Sequence, residues 1–223
     1  MKHLVYFALC TLLPSLAMAE DGDEEMSPSN ANLTGLIFAV GAGYGTPFGD
    51  MVKIPNSSTD TSLGSIVSGQ IPLSIGLGAR VAPMVSVGLA FQYAPLVTKN
   101  CDTGSSCSAS DKHLGGELRL HVNPEQALSP WISVGAGYEW LSLSETGASS
   151  GDGGLNGWDF DFELGGDVRV TSSMTLGPYV GLRLGNYGSA SSGSNSADIA
   201  SANQTTHGWL AFGVRGAFTL SSP

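Results

Sequence analysis

The sequence predicts an all-β fold, an eight-stranded antiparallel up-and-down transmembrane β-barrel. Three observations carry that prediction. Eight runs alternate oily residues with small or polar ones at a period of two, so each run has two unlike faces. The links between runs are alternately short and long. All five arginines fall on the non-oily face. Composition narrows the alternatives. Only 13% of the 223 residues are charged, about half the usual quarter, and 31 are Gly. With 9 Lys plus Arg against 19 Asp plus Glu, the net charge of −10 excludes the basic stripe that a nucleic-acid binder needs. A hydrophobic share of 42% argues against disorder, and no apolar run approaches the roughly 18 residues of a membrane helix.

Residues 1–19 read as a secretory signal peptide: Met1-Lys2-His3 is the basic start, Leu4 to Leu16 the apolar stretch, and Ala17-Met18-Ala19 the small-x-small cleavage site. Cys10 leaves with it; the apolar segment before Cys10 is too short for a lipoprotein anchor. An acidic flexible segment, 20–33, precedes the barrel expected over 34–221. Cys101 and Cys107, six positions apart in an exported chain, are expected to form a local disulfide. A metal site there would need more ligands than the segment offers, His113 and Asp111 being the nearest.

The eight strands follow in order. The first sets Leu36, Phe38, Val40, Ala42 and Tyr44 against Gly35, Ile37, Ala39, Gly41, Gly43 and Gly45, and the second Ile71 to Val81 against Gln70 to Arg80. The third sets Val85 to Tyr93 against Ser86 to Ala94, and the fourth Leu114, Leu118, Leu120 and Val122 against Glu117, Arg119 and His121. The fifth sets Ile132 to Trp140 against Ser133 to Glu139, and the sixth Trp158 to Val170 against Asp159 to Arg169. The last two set Pro178 to Leu184 against Tyr179 to Gly185, and Leu210 to Leu220 against Trp209 to Ala217. The apolar span Ile71 to Val97 imitates a helix, but Pro72, Pro83, its glycines and Arg80 fit two strands better. Short turns are expected at Pro83, Asn123-Pro124 and Thr171 to Ser173. Long polar loops are expected over 49–68, 98–112, 144–156 and 188–206, on the outer side, with both termini on the short-turn, periplasmic side.

Alternation alone does not say which face is inside. Arg80, Arg119, Arg169, Arg183 and Arg215 share the small-residue face with Glu117, Glu139, Asp159, Asp161, Glu163 and Asp167. A narrow lumen needs small residues beside a few long ones, and its charges must pair. The arginines are expected mainly in the periplasmic half with acids above them, and no charge is expected on the lipid face, where one costs about 2–4 kcal/mol at the midplane. Tyr44, Tyr93, Tyr138, Trp140 and Trp158 lie near the long-loop ends of their strands, as an outer aromatic girdle requires. The repeated string Val-Gly-Ala-Gly-Tyr, at 40–44 and 134–138, places two of these tyrosines alike.

From about Thr34 to Leu220 the chain resembles the eight-stranded outer-membrane barrels of the OmpA, OmpX and OmpW type. The resemblance implies an integral outer-membrane protein in a Gram-negative envelope, in contact with outer-membrane lipid. It further implies recognition of the last strand by the barrel-insertion machinery, here through Phe218 and Leu220, although the terminal residue is not aromatic. Long loops on a rigid scaffold point to a structural or surface-interaction role with an unidentified extracellular ligand; a narrow channel for ions or small solutes is the alternative. A lipid-modifying enzyme is a distant third, because His121 and His207 lack the His-x-Ser pattern of lipid-A deacylases. No cofactor, metal or nucleic acid is expected: the segment from Asp152 to Glu163 departs from a calcium loop at Gly154 and has no helices beside it. His121 is expected to face the lumen acids and His113 to lie at a loop end.

Overall fold

The computed structural model describes residues 34–53, 61–99, 105–147 and 151–221. The signal peptide, the acidic leader and Cys101 lie outside the described residues. Eleven strands, one short α-helix and one 3-10 turn (Ser201–Asn203) occur among those described: β1 (Gly35–Val52), β2 (Thr61–Ser62), α1 (Leu63–Ile66), β3 (Val67–Gln70), β4 (Leu73–Ala82), β5 (Val85–Thr98), β6 (Ser106–His121), β7 (Leu128–Thr146), β8 (Gly151–Arg169), β9 (Met174–Ser192), β10 (Asn195–Asp198) and β11 (Thr206–Ser221).

Eight of these strands form a closed antiparallel ring, β1–β4–β5–β6–β7–β8–β9–β11 and back to β1. Closure runs from Gly35 opposite Ser221 to Gly49 opposite His207, so no long edge is left unpaired. The remaining strands extend the ring at its long-loop end. Pro72 lacks an N–H, and the second expected strand divides there into β3 and β4. Its neighbours still bond across the gap: Gly43 N donates to Pro72 O, and Ile71 N to Pro95 O, both at 3.0 Å. The short turns fall at Pro83-Met84, over 122–127 and over 170–173. Asn123 takes φ 54° in the second of them, a conformation Asn tolerates better than most residues.

Burial decides the inside-out question. Leu77, Leu89 and Phe160 are 66%, 64% and 58% exposed on the outer surface, whereas Arg119 and Trp131 are 2% exposed and Asp159 is 0%. Oily side chains therefore face lipid and charges face the axis.

The strands outrun the sequence expectation. β7, β8 and β9 each have 19 residues, where crossing a bilayer takes about 9–11. Residues 106–112, 144–146, 151–156 and 188–192, expected as loop, are strand instead. From the level of Lys112 upward their outward positions (Ser108, Ser144, Asp152, Asn156) are polar, so this wall stands in water, and its hairpin pairing satisfies the backbone there. The 49–68 connection turns inward. α1 sets Leu63, and β3 sets Val67, into the mouth of the barrel, both 0% exposed, against Met51, Leu96, Leu141, Tyr187 and Trp209.

One charge does occupy the lipid-facing side. Lys112, expected in a loop, is an exposed outward residue of β6 with Tyr93 and Trp140 as its cross-strand partners. At that girdle level a lysine reaches the headgroups, and the penalty falls to about 0–1 kcal/mol.

Candidate functional site

The lumen is filled in layers, each built by side chains reaching over glycines. Near the short-turn end, Arg80 Nη2 donates to the His121 ring, 3.2 Å from Nε2, and Ser86 Oγ lies 3.3 Å from the same nitrogen. His121 thus faces a guanidinium and a hydroxyl rather than the acids expected of it, because Arg80 on β4 comes within reach across β5.

Above it, the Trp131 indole lies over Gly165, its partner on β8, where a Cβ would collide with the ring. Its Nε1 donates to Asp167 Oδ1 at 3.0 Å. The Arg119 guanidinium stacks on that indole, 3.9 Å from the ring centroid, with Arg215 at 5.9 Å. Arg119 Nη2 donates to Glu117 at 3.0 Å and to Glu163 at 3.2 Å, and Arg215 Nη2 stands 3.9 Å from Glu117. Here the geometry brings together six of the anticipated residues (Glu117, Arg119, Glu163, Asp167, Arg215 and, one step lower, Arg80). Arg169 does not join them. It is exposed at the turn rim and donates to the Pro124 carbonyl at 2.8 Å, which is where the end of β8 leaves it.

The upper layer centres on Arg183 of β9. Its Nε donates to Asp161 Oδ1 at 2.8 Å and stands 3.8 Å from Asp159 Oδ2, while Nη1 is 3.6 Å from Asp111. His113 is buried, not at a loop end: its ring crosses Gly137 of β7, where any Cβ would meet Nε2, and reaches the two aspartates of β8. One step higher, Glu139 is 1% exposed and accepts three bonds, from His207 Nε2 at 2.9 Å and from Tyr187 OH and Trp209 Nε1 at 3.2 Å each. Tyr187 stacks on His207 with centroids 3.8 Å apart. The apolar cap of Leu63 and Val67 closes over this group.

Between the two layers lies a cavity of about 70 Å³, bounded by Ala39, Ser74, Gly76, Ala90 and Gln92 of β1, β4 and β5 on one side and by His113, Glu117, Asp161 and Arg183 on the other. Water needs only about 10–15 Å³, so several molecules fit.

Sequence reasoning missed Asp111, His113, Trp131, Tyr187 and His207 as lumen residues, whereas Tyr179 and Trp209 were already on the inward face. The signal was parity. Asp111 and His113 share the inward parity of Glu117, and Tyr187 that of Arg183, but strand ends drawn at 114 and 185 cut them off. On the outer surface Tyr138 makes edge contacts with Trp140 and Trp158, centroids 4.9 and 5.3 Å apart, and Tyr44 stands 6.0 Å from Phe212. Tyr93 is exposed on β5, two strands from Tyr138. Cys107 lies on β6, and its expected partner Cys101 is outside the described residues.

Comparison with known proteins agrees with this architecture. A major outer membrane protein from Thermus thermophilus superposes with a TM-score of 0.53 at 11% identity, over 83% of this chain and 99% of its own. The outer membrane protein OprG from Pseudomonas aeruginosa does so with a TM-score of 0.50 at 15% identity, over 84% and 98%. At these identities the likeness is one of fold. No curated protein sequence matches the chain. The model of the autotransporter β-domain, a barrel class related to but distinct from the one the sequence resembles, matches residues 44–222. A closed, lipid-facing antiparallel ring matched over most of its length by that model means that the chain belongs to the autotransporter β-domain family.

Proposed function

We propose that this protein is a non-conducting outer-membrane barrel with a structural or surface-interaction role and no catalytic one. The carrying observation is the double filling of the lumen: Arg119 stacked on Trp131 below, and Glu139 with His207, Tyr187 and Trp209 beneath an apolar cap above. Moving an ion past either layer means breaking buried charge pairs, at about 3–5 kcal/mol for each partner lost. The polar outer wall of β6 to β9 offers the surface for an external ligand, since positions on a rigid scaffold commonly carry recognition. A Cys101–Cys107 disulfide would staple the connection leading into β6, and the outward Phe218 and Leu220 of β11 would serve the insertion machinery.

Planar-bilayer recording tests this against the narrow channel. The wild-type barrel is expected to be silent at 100 mV. A variant with Leu63→Ser, Val67→Ser and Trp131→Ala, which thins both fillings, is expected to give discrete current steps. Steady single-channel steps from the wild type, altered by Glu139→Gln, would make it a channel instead.

A further inference from the structure

We infer that the upper lumen layer is a binding site for one divalent transition-metal ion, held by His113 Nε2, Asp159 Oδ1 and Asp161 Oδ2. These three atoms lie within 4.8 Å of one another, with Nε2 3.0 Å from the Asp159 oxygen and 3.2 Å from the Asp161 oxygen. Two ligands bound at about 2.1 Å stand roughly 3.0 Å apart in an octahedral site and 3.4 Å apart in a tetrahedral one. The two spacings from Nε2 match the ligand-to-ligand edges of such a site.

Two features separate this from an ordinary ion pair. His113 Nε2 forms no hydrogen bond to either oxygen despite the short distances, and both Asp159 oxygens, 0% exposed, also lack a hydrogen-bond donor. A protonated imidazole would aim its N–H along one contact; an ion sits between the two. Secondly, Arg183 is directed at the other oxygen of each carboxylate, Oδ1 of Asp161 and Oδ2 of Asp159. It thus holds Asp161 by a hydrogen bond at 2.8 Å, stands 3.8 Å from Asp159, and leaves the oxygens nearest His113 for the ion. Glycines make room for the ligand. Gly137 and Gly115 clear the path of the imidazole ring, a Cβ at Gly115 standing 2.8 Å from it.

One nitrogen and two carboxylate oxygens suit a borderline ion of the Zn²⁺ class better than Ca²⁺ or Mg²⁺, which prefer oxygen alone. The adjoining cavity, lined by His113 and Asp161, supplies water for the remaining positions. The ion would bind whether or not the barrel conducts.

The test uses the full chain, folded in detergent and stripped with EDTA. Calorimetric titration with Zn²⁺ is expected to show one tight equivalent and a higher unfolding temperature. The variants His113→Gln and Asp161→Asn, with folding checked by heat-modifiable gel migration, are expected to bind on the order of 100-fold more weakly or worse. The Co²⁺ form of the wild type, which needs no variant, is expected to show a hyperfine-shifted, solvent-protected imidazole N–H in its proton NMR spectrum. No Zn²⁺ binding by the folded wild type, undiminished binding by either folded variant, or absence of that imidazole resonance would each overturn the site.

Discussion

Glu139 shows how much one lumen residue supports. Its carboxylate is buried at 1% exposure and takes donors from three side chains on two other strands, Tyr187 on β9 and His207 and Trp209 on β11. A buried anion of this kind is tolerated because it is met by several donors. Glu139→Ala removes the acceptor and strands three donors, so we expect a loss of about 3–5 kcal/mol. Glu139→Gln keeps an acceptor oxygen and the shape, and should lose less than half as much. Urea unfolding in lipid or detergent, followed by tryptophan fluorescence, compares the two. Equal stabilities for wild type and Glu139→Ala would mean that the cluster contributes nothing. The residue itself was legible as an inward acid from alternation, but its partners were not. Alternation fixes the face of each strand, whereas which inward residues meet depends on the stagger of strands around the ring.

At the scale of elements, the eight crossing strands were legible because lipid and lumen impose a strict period of two over each of them. Their upper ends were not. Above the girdle the pattern inverts, with outward Ser142, Ser144 and Asp152 polar while Leu141 and Leu155 point into the mouth, so the oily-outside signal is lost while the pairing continues. The inward fold of α1 was equally hidden, since four residues with two apolar ones carry no pattern. The upper part of the β7–β8 hairpin therefore has no share in closing the ring below it. From Tyr138 to Thr146 it rises eight residues, about 26 Å along the strand. Replacing residues 144–152 by a two-residue turn is expected to leave Leu143 paired with Gly153, Ser142 with Gly154, and the ring intact. The variant should keep its heat-modifiable migration and lose less than about 1 kcal/mol of stability, as for changes away from the core. Failure to fold would show that the projecting wall is part of the barrel's nucleus and not an addition to it.

For the whole molecule, one inversion governs everything else: the surface is oily and the core is charged. The five arginines and the glycine-crowded inner face made that legible in the sequence, because a charge in the hydrocarbon is too costly to keep. Leu77 is the sharpest probe of it. On β4 it pairs with Phe38 and Leu89, midway between Leu73, which stands opposite the girdle residue Tyr93, and Val81 at the other rim. It is 66% exposed, so a long polar side chain meets no steric obstacle there. In water Leu77→Arg would be nearly neutral. At the bilayer midplane the same change is expected to cost about 2–4 kcal/mol, whereas Val122→Arg, at a short turn near the inner headgroups, should cost about 0–1 kcal/mol. Reversible urea titrations in phospholipid bilayers measure both. The gradient between the two sites is decisive, because a depth-dependent penalty can arise only from a surface that lies in lipid. Equal and small effects at Leu77 and Val122 would place this surface in water and undo the membrane reading of the fold.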